Sequence, residues 1–375
     1  MNISQATHLP QLTWLRGIAA LFVLFSHINR ANETNYSGEQ PQQYFLLNWL
    51  DLGSFGVALF FTLSGCTLYL SVSQNGFPNM KSYYSFYLKR FFRIWPAFAL
   101  ALLAYLLAGI LFQEALKPYE SSWLATQFLK TYTWTDVISY LLLIFNFTGP
   151  EGLFNNAFWS LPVEFQYYLL LPLIVLVLQR WGAIAIFFVI IVSHVLYKAD
   201  FQFIDSSLVF RLMFTFCLGV YSGYIYKHYH QRLPSGLAFF IILTLTIFVY
   251  LFSEGTFAHL PMPSEWLVYG IAAVGCVISS IMAPLAIPMP IARLLNFYGD
   301  ISYSLYLFHN LIIAAAVIVF VQYSALLLPY KLLFLTVTST TGATLLAWLS
   351  YKYIELPGMA LGKRLLQRSR SSSVA

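Results

Sequence analysis

The sequence predicts an all-α, polytopic membrane protein: a bundle of about ten transmembrane helices with one re-entrant or interfacial segment. Of the 375 residues, 59% are hydrophobic and only 9% are charged, whereas a soluble domain carries roughly 25% charged residues. Apolar runs long enough to cross a bilayer recur along nearly the whole chain, separated by short polar or Pro/Gly-bearing connections. The net charge of +6 does not indicate nucleic-acid binding, because the basic residues cluster in short loops, as orientation signals do.

Ten apolar runs suit a membrane-spanning helix, and an eleventh, at 135–148, is ambiguous. In chain order the ten runs are 10–29, 53–73, 86–112, 160–178, 183–198, 207–226, 236–252, 266–286, 299–321 and 329–352. No Lys or Arg precedes Arg16, and no small-residue cleavage site follows the first run. We therefore interpret it as a retained span rather than a signal peptide.

Loops rich in Lys and Arg predict the topology, because such loops stay in the cytoplasm. They lie at 81–93, at Arg180, at 227–232, at Arg293 and at 363–370. Counts from the two ends of the chain agree only if 135–148 enters and leaves the membrane on the same side, which requires that protein bury it or a cavity line it. We predict ten full spans with both termini in the cytoplasm; eleven spans with an external N-terminus are the alternative.

We expect one membrane domain over 1–365 and a disordered cytoplasmic tail over 366–375, which is rich in Ser and Arg. The sequence shows no internal repeat, and this weighs against many secondary transporter folds, which are built from two related halves. Three cysteines each lie inside an apolar run without CxxC or Cys/His spacing: Cys66, Cys217 and Cys276. They are typical of packing residues and predict neither a metal site nor a disulfide.

The first span carries two ionisable residues, Arg16 and His27, in an otherwise apolar stretch. Ionisable side chains at membrane depth are costly and by default mark a pathway or a reaction centre. Eleven residues separate the two, which places them on one helical ridge with a rise of roughly 16 Å. His27 can exchange a proton near neutral pH, as activation of a hydroxyl nucleophile requires; a buried histidine bonded to a backbone carbonyl is the structural alternative.

A basic cluster, Lys89, Arg90 and Arg93, lies at the predicted cytoplasmic mouth of the third span. Arg90 and Arg93 are i, i+3 neighbours, so together they can grip a phosphate through paired N–H groups. A cytoplasmic anchor with Trp95 in the interfacial aromatic belt is the simpler interpretation of the same segment. The two interpretations are compatible.

Two further segments place polar residues in apolar surroundings. Trp159 and Glu164 flank the start of the 160–178 span, with Ser160 as a candidate N-cap. The helix dipole favours an anion at Glu164, so a capping role competes with a functional one, in which Glu164 holds an acceptor hydroxyl or orients the histidine. Trp159 offers a flat surface for a sugar ring. In the ninth span Ser302, Tyr306 and His309 share a face, which suits interhelical hydrogen bonding as well as substrate contact. Ser64 in the second span has the same ambiguity.

Taken together, five segments closely resemble acyltransferase family 3, in order and over nearly the whole chain. They are LRGIAA at 15–20 with His27, FFTLSG at 60–65, KRFFRIWP at 89–96, WSLPVE at 159–164 and ISYSLYLFH at 301–309. Each is weak alone, but the sequence of Arg-x10-His, Arg-x-x-Arg and Trp-Ser-Leu-x-x-Glu is specific. The resemblance implies a multi-span protein of the bacterial inner membrane, similar to O-acetyltransferases. Such a protein moves an acyl group, commonly from acetyl-coenzyme A, to a hydroxyl of a surface or secreted glycan.

The resemblance implies catalytic roles for His27, Arg16 and Glu164. It implies contacts to coenzyme A phosphates for Lys89, Arg90 and Arg93, with acetyl-coenzyme A as the acyl donor and no tightly bound cofactor or metal. We expect the acceptor, a glycan or lipid-linked saccharide, to meet Trp159, Ser64, Tyr303 and His309. Direct transfer, with His27 as general base, and a covalent acyl-histidine relay are both open.

Two other classes of function compete with an enzyme. In a proton-coupled transporter or flippase of a glycan or lipid-linked sugar, Arg16, His27 and Glu164 would form a proton relay or a counter-charge to the substrate. In a non-catalytic subunit of a glycan-assembly complex, His27 would be dispensable. Cleavage of a thioester that depends on His27 separates the enzyme from both.

Overall fold

The computed structural model describes residues 9–34, 52–73, 76–120, 122–149, 152–198, 207–229, 232–259, 264–327 and 330–371. All regular structure in these ranges is helical. The helices of eight or more residues are α1 (Pro10–Glu33), α2 (Gly53–Val72), α3 (Met80–Leu116), α4 (Trp134–Leu141), α5 (Ser160–Trp181), α6 (Ala183–Lys198), α7 (Ser207–His228), α8 (Ser235–Ser253), α9 (Glu265–Met282), α10 (Met289–Gln322), α11 (Lys331–Ser350) and α12 (Leu356–Ser371). Shorter turns are Lys117–Tyr119, Thr126–Leu129, Phe145–Thr148, Asn156–Trp159, Ser324–Leu327 and the π-helical turn Tyr351–Glu355.

Nine helical segments of the described chain are long and apolar enough to cross a membrane, which confirms the all-α, multi-span prediction. They are Pro10–Glu33, Gly53–Val72, Met80–Tyr119, Asn156–Trp181, Val209–His228, Ser235–Ser253, Glu265–Met282, Ser302–Gln322 and Lys331–Arg368. The predicted span at 183–198 is α6, whose 16 residues rise about 24 Å, short of a hydrocarbon core of roughly 30 Å. The segment 135–148 holds only α4 and the turn Phe145–Thr148, so it forms no eleventh span.

The chain divides into two compact units. The first unit comprises Met1–Val23, Trp49–Phe77 and Val163–Asp300, and the second unit comprises Leu24–Asn48, Pro78–Pro162 and Ile301–Ala375. Helices α1 and α10 are each continuous. Both contribute their first part to the first unit and their second part to the second.

In the first unit, α2 packs against α7 and α9 with backbones in close approach. A Cβ atom on Gly65 would lie 2.2 Å from the carbonyl oxygen of Phe216, and one on Gly219 would lie 2.2 Å from that of Thr62. Only glycine fits at both places, because a Cβ atom at 2.2 Å would overlap the carbonyl oxygen. Small residues of this kind let helix backbones approach closely in membrane proteins. Gly65 therefore serves close packing of α2 on α7.

In the second unit, α12 packs along α3 through two glycines spaced four residues apart. A Cβ on Gly358 would lie 2.9 Å from the carbonyl oxygen of Phe92, and one on Gly362 would lie 3.0 Å from the Phe92 side chain. Pro96, inside α3, has no N–H to offer the Phe92 carbonyl one turn earlier. Helix α12 thus packs on the turn of α3 where Pro96 removes a backbone hydrogen bond.

Helix α12 continues to Ser371, and thus into the segment 366–375 that the sequence predicts to be a disordered tail. Leu366 lies one turn beyond Gly362 and is 9% exposed, so burial of an apolar side chain favours the helix where composition alone favours disorder. Residues 372–375 lie outside the described residues.

Candidate active site

Arg16 and His27 lie on one uninterrupted helix, as their spacing predicts. Arg16 belongs to the first unit, where a guanidinium N–H donates to the hydroxyl of Thr67 on α2 at 3.1 Å. The Thr67 hydroxyl donates in turn to the carbonyl oxygen of Leu63 at 2.7 Å. Because a guanidinium keeps its proton in proteins, Arg16 is a fixed positive charge tied to α2.

His27 belongs to the second unit and pairs with His309 on α10, across 282 sequence positions. Its Nδ1 lies 2.5 Å from Nε2 of His309. The rings are nearly parallel, at 4°, and their centroids are 4.8 Å apart. The distance between the centroids is only 2.3 Å longer than the N···N distance. This difference is about two ring radii, one for each imidazole, so the line between the two nitrogens passes through both ring centres and the nitrogens point at each other. An in-plane hydrogen bond, rather than face-to-face stacking, joins the two imidazoles.

His309 is buried, at 1% exposed, and its other nitrogen faces its own helix. Nδ1 lies 3.1 Å from the carbonyl oxygen of Leu305 and 2.9 Å from that of Tyr306. The sequence predicts a substrate contact for His309. The structure places both ring nitrogens against protein atoms, one of them on His27.

An indole and a guanidinium surround the same imidazole. The ring of Trp123 lies 5.1 Å from that of His27, at 34°, and the exposed Arg30 guanidinium lies 6.0 Å from the Trp123 centroid. The sequence analysis does not single out Trp123. The structure shows that its indole ring lies against the imidazole of His27.

A buried amide network, which sequence reasoning missed, fixes the segment that carries Trp123. Asn310 donates to Asn155 at 2.8 Å and to Gln127 at 3.2 Å, and all three side chains are at most 2% exposed. The Gln127 carbonyl oxygen also accepts from the backbone N–H of Asn156, and its amide donates to the Trp123 carbonyl at 3.4 Å. Asn310, a polar residue beside His309 in an apolar helix, is the signal that could have found the network.

Glu164 lies near the start of α5 in the first unit, where it accepts a hydrogen bond of 2.8 Å from the Ser64 hydroxyl. The Tyr168 hydroxyl, one turn along α5, also donates to Glu164. Ser64 is buried and Glu164 is half-buried. Two of the predicted site residues, Ser64 and Glu164, are thus in direct contact.

The basic cluster lies on α3, in the second unit. Lys89 is exposed, and the Arg90 guanidinium lies 5.5 Å from the ring centroid of Phe86. Arg93 interacts electrostatically with Glu355, a carboxylate that is 4% exposed. The two arginines therefore differ: Arg93 faces a buried acid, whereas Arg90 packs on an aromatic ring.

Glu355 was missed at the sequence level, because it lies just past the last predicted span. The π-helical turn that precedes α12 ends at Glu355, and such turns often mark functional sites. Its carboxylate accepts a hydrogen bond from the Ser304 hydroxyl, which lies 2.8 Å from the Ser350 hydroxyl. An acid directly after an apolar run was the available signal, since ionisable groups at membrane depth are rarely incidental.

Three further predicted residues are Tyr303, Trp159 and Ser160. The Tyr303 hydroxyl donates to the Ile94 carbonyl at 3.0 Å, which ties α10 to the basic cluster of α3. Trp159 ends the turn Asn156–Trp159 and is half-buried. Ser160, predicted as an N-cap, is the first residue of α5, and its hydroxyl is 2.7 Å from that of Tyr306. The Ser160 hydroxyl therefore pairs with a side chain on α10.

Comparison with known proteins gives one family and several relatives. The sequence model of a family described as an acyltransferase domain matches residues 9–350. Acyltransferase MdmB of Streptomyces mycarofaciens is 31% identical over 45% of this chain and 40% of its own length. Peptidoglycan O-acetyltransferase OatA of Listeria monocytogenes is 26% identical over 46% of this chain and 25% of its own length. Nodulation protein 10 of Rhizobium leguminosarum bv. viciae is 24% identical over 99% of this chain and 98% of its own length.

The chain spans less than half the length of the first two relatives. No solved structure matches it significantly.

Proposed function

This chain belongs to the acyltransferase-domain family, and from that premise we propose that it is a membrane O-acyltransferase that moves an acyl group, acetyl in the simplest case, from acyl-coenzyme A to a hydroxyl of a cell-surface or secreted glycan. His27 acts as the general base. The names of MdmB and OatA, an acyltransferase and a peptidoglycan O-acetyltransferase, support acyl transfer to oxygen. The basic loops support an inner-membrane protein with cytoplasmic termini.

The observation that carries the proposal is the pairing of His27 with His309. A general base must keep a lone pair and a fixed orientation while it waits for the hydroxyl proton. A second imidazole, coplanar with His27 and itself anchored to backbone carbonyls, supplies that orientation. A histidine bonded only to a backbone carbonyl, which is the alternative interpretation that the sequence allows, would have no such partner.

In the reaction, the acceptor oxygen attacks the thioester carbonyl carbon while His27 takes its proton. The carbon–sulfur bond then breaks, and the imidazolium returns the proton to the departing thiolate. The products are an O-acyl ester and the free thiol of coenzyme A. Positioned proton transfer of this kind contributes roughly 10²–10⁴-fold in rate.

The acyl donor suits the basic cluster of α3. Coenzyme A is an anionic nucleotide on a long, mostly uncharged arm that ends in the thioester. Arg90 and Lys89 offer cations to its phosphates. Arg93, which also interacts with Glu355, is the third proposed phosphate contact. Arginine can bind phosphate through paired N–H groups. Coenzyme A enters as a substrate, not as a resident cofactor.

The acceptor suits the neighbourhood of Trp123. An indole 5.1 Å from the His27 ring gives a flat apolar surface on which a sugar ring can lie with a hydroxyl turned to the base. Catalytic roles for Arg16 and Glu164, and acceptor contacts for Ser64, Trp159 and Tyr303, stay predictions.

Thioester cleavage by the purified protein tests the proposal. With water in the place of the acceptor hydroxyl, we expect acetyl-coenzyme A to be cleaved to acetate and the free thiol, and the His27→Ala variant to lose at least about 100-fold of the rate. His228→Ala is the matched control, because His228 is exposed at the end of α7 and its Nδ1 lies against the Tyr224 carbonyl oxygen of the same helix. Equal rates for wild type and His27→Ala, or no cleavage at all, would favour the transporter.

Direct transfer and a covalent acyl-histidine relay are separated by a single-turnover experiment. The protein is mixed with radiolabelled acetyl-coenzyme A without acceptor, and protein-bound label is counted. We expect none for direct transfer. Label that is present in the wild type and absent from His27→Ala would establish the relay instead.

A further inference from the structure

We propose that His309 is the positioning residue that fixes the tautomer of His27, so that Nε2 of His27 is the atom that takes the acceptor proton. The inference rests on the proposed function for the chemistry, while its geometric part stands on the imidazole pair alone. It changes the role of His309 from the predicted substrate contact to a partner of the base.

The tautomer of His309 follows from its own helix. A carbonyl oxygen only accepts hydrogen bonds, and Nδ1 of His309 lies 3.1 Å and 2.9 Å from the carbonyl oxygens of Leu305 and Tyr306. Nδ1 therefore carries the hydrogen. In the neutral imidazole the other nitrogen, Nε2, must then be an acceptor.

The tautomer of His27 follows from that of His309. Nε2 of His309 presents a lone pair, and the atom 2.5 Å away is Nδ1 of His27. Two lone pairs cannot share this approach, so Nδ1 of His27 is the N–H group. The coplanar rings and the N···N line through both centroids make this bond nearly linear. The lone pair of His27 is thereby assigned to Nε2.

The same bond acts during the reaction. When Nε2 of His27 takes a proton, its ring becomes an imidazolium whose Nδ1–H still donates to His309. A hydrogen bond from a charged group is shorter and stronger than a neutral one, so the pair stabilises the charged intermediate more than the resting state. In the Ser-His-Asp triad an aspartate holds the imidazole in the correct tautomer; here a neutral imidazole takes that part.

Two amide substitutions at 309 separate positioning from mere packing. In His309→Gln the amide oxygen reaches the place of Nε2 and can accept from Nδ1 of His27, whereas the shorter His309→Asn reaches only the place of Nδ1. We expect His309→Gln to keep kcat within about tenfold of wild type. We expect His309→Asn to lose at least about 100-fold in kcat with KM for acetyl-coenzyme A within about twofold, since a wrong tautomer costs up to about 10⁴-fold in a serine protease.

A spectroscopic measurement reads the tautomer without any reaction. Nitrogen-15 NMR of the histidine-labelled protein distinguishes protonated from bare ring nitrogens, and the His27→Ala spectrum assigns the His27 signals. We expect Nδ1 of His27 to be protonated and Nε2 to be bare in the wild type, with a mixture of tautomers in His309→Asn. Thermal unfolding of each variant reports whether it has folded.

The inference is overturned if Nε2 of His27 is protonated in the wild type, if the Gln and Asn variants lose kcat equally, or if the loss falls on KM for acetyl-coenzyme A. A wild type with the expected tautomer but no thioester cleavage would defeat the proposed function and leave the pairing intact. A wild type that cleaves the thioester while the two variants do not differ would defeat the inference alone.

Discussion

The Ser64 hydroxyl donates a 2.8 Å hydrogen bond to Glu164, which joins α2 to α5 within the first unit. In Glu164→Gln an amide oxygen replaces the carboxylate and can still accept from Ser64, so the fold should persist without the charge. Glu164 is predicted to hold the acceptor hydroxyl through a hydrogen bond. Hydrogen bonds to a charged group are worth roughly 1.5–3 kcal/mol against 0.5–1.5 for neutral ones, so we expect acyl transfer to fall at least about tenfold. Transfer rates and melting temperatures are compared with those of Glu254→Gln, an exposed residue beyond α8. Full activity would leave Glu164 a structural role only.

Arg93 and Glu355 should be coupled in stability. Arg93→Met removes a cation that interacts with the buried Glu355 carboxyl group, and loss of a charged partner destabilises a buried acid that is ionised. We expect Arg93→Met/Glu355→Gln to unfold less readily than Arg93→Met, with a coupling of about 1–3 kcal/mol from a double-mutant cycle. Lys89→Met, at an exposed position, should show no coupling to Glu355→Gln. Additive effects in the cycle would mean that Arg93 does not compensate Glu355.

Gly219 should be sensitive to a single methyl group. A Cβ there would lie 2.2 Å from the Thr62 carbonyl oxygen, whereas a Cβ on Gly236 would meet nothing within 4 Å. We expect Gly219→Ala to lower the free energy of unfolding by about 1–3 kcal/mol. Gly236→Ala should be neutral or stabilising by up to about 1 kcal/mol, because glycine is costly inside a helix. Equal melting temperatures for the two variants would contradict the close approach of α2 and α7.

Trp123 should act on the acceptor and not on the acyl donor. We expect Trp123→Leu to raise the acceptor KM about tenfold, equivalent to roughly 1.4 kcal/mol, because an aliphatic side chain lacks the flat face of the indole. Thioester cleavage without acceptor should stay within about twofold of wild type. The control is Trp134→Leu, where the side chain is 80% exposed. A rise in KM for acetyl-coenzyme A would place Trp123 on the donor side.

Hydrophobic periodicity and length located the membrane helices, because burial in lipid acts on each helix separately. The continuity of α1, and with it the shared helix of Arg16 and His27, followed from the same pattern. The ends of helices were less predictable: α12 continues through Leu366 because packing on α3, a tertiary effect, overrides a polar composition.

Long-range partners could not be predicted from one sequence. The contact of His27 with His309 joins residues 282 positions apart, and spacing holds no signal at that range. Ser64 and Glu164 were each singled out by their polarity within apolar runs, yet their hydrogen bond was not. The amides of Gln127 and Asn155 were missed because an amide in a loop does not stand out without its partners, and Glu355 was missed because it lies just past the last predicted span.

The segment that carries Trp123 is docked by Gln127, Asn155 and Asn310, three buried side chains that neither gain nor lose protons in the physiological range. Dissolved ions screen charges far more than they screen enclosed dipoles. Acidification or high salt should therefore leave Trp123 in place beside the His27 ring. A change in turnover with acidity would then report the proton content of the imidazole pair and not an opening of the loop.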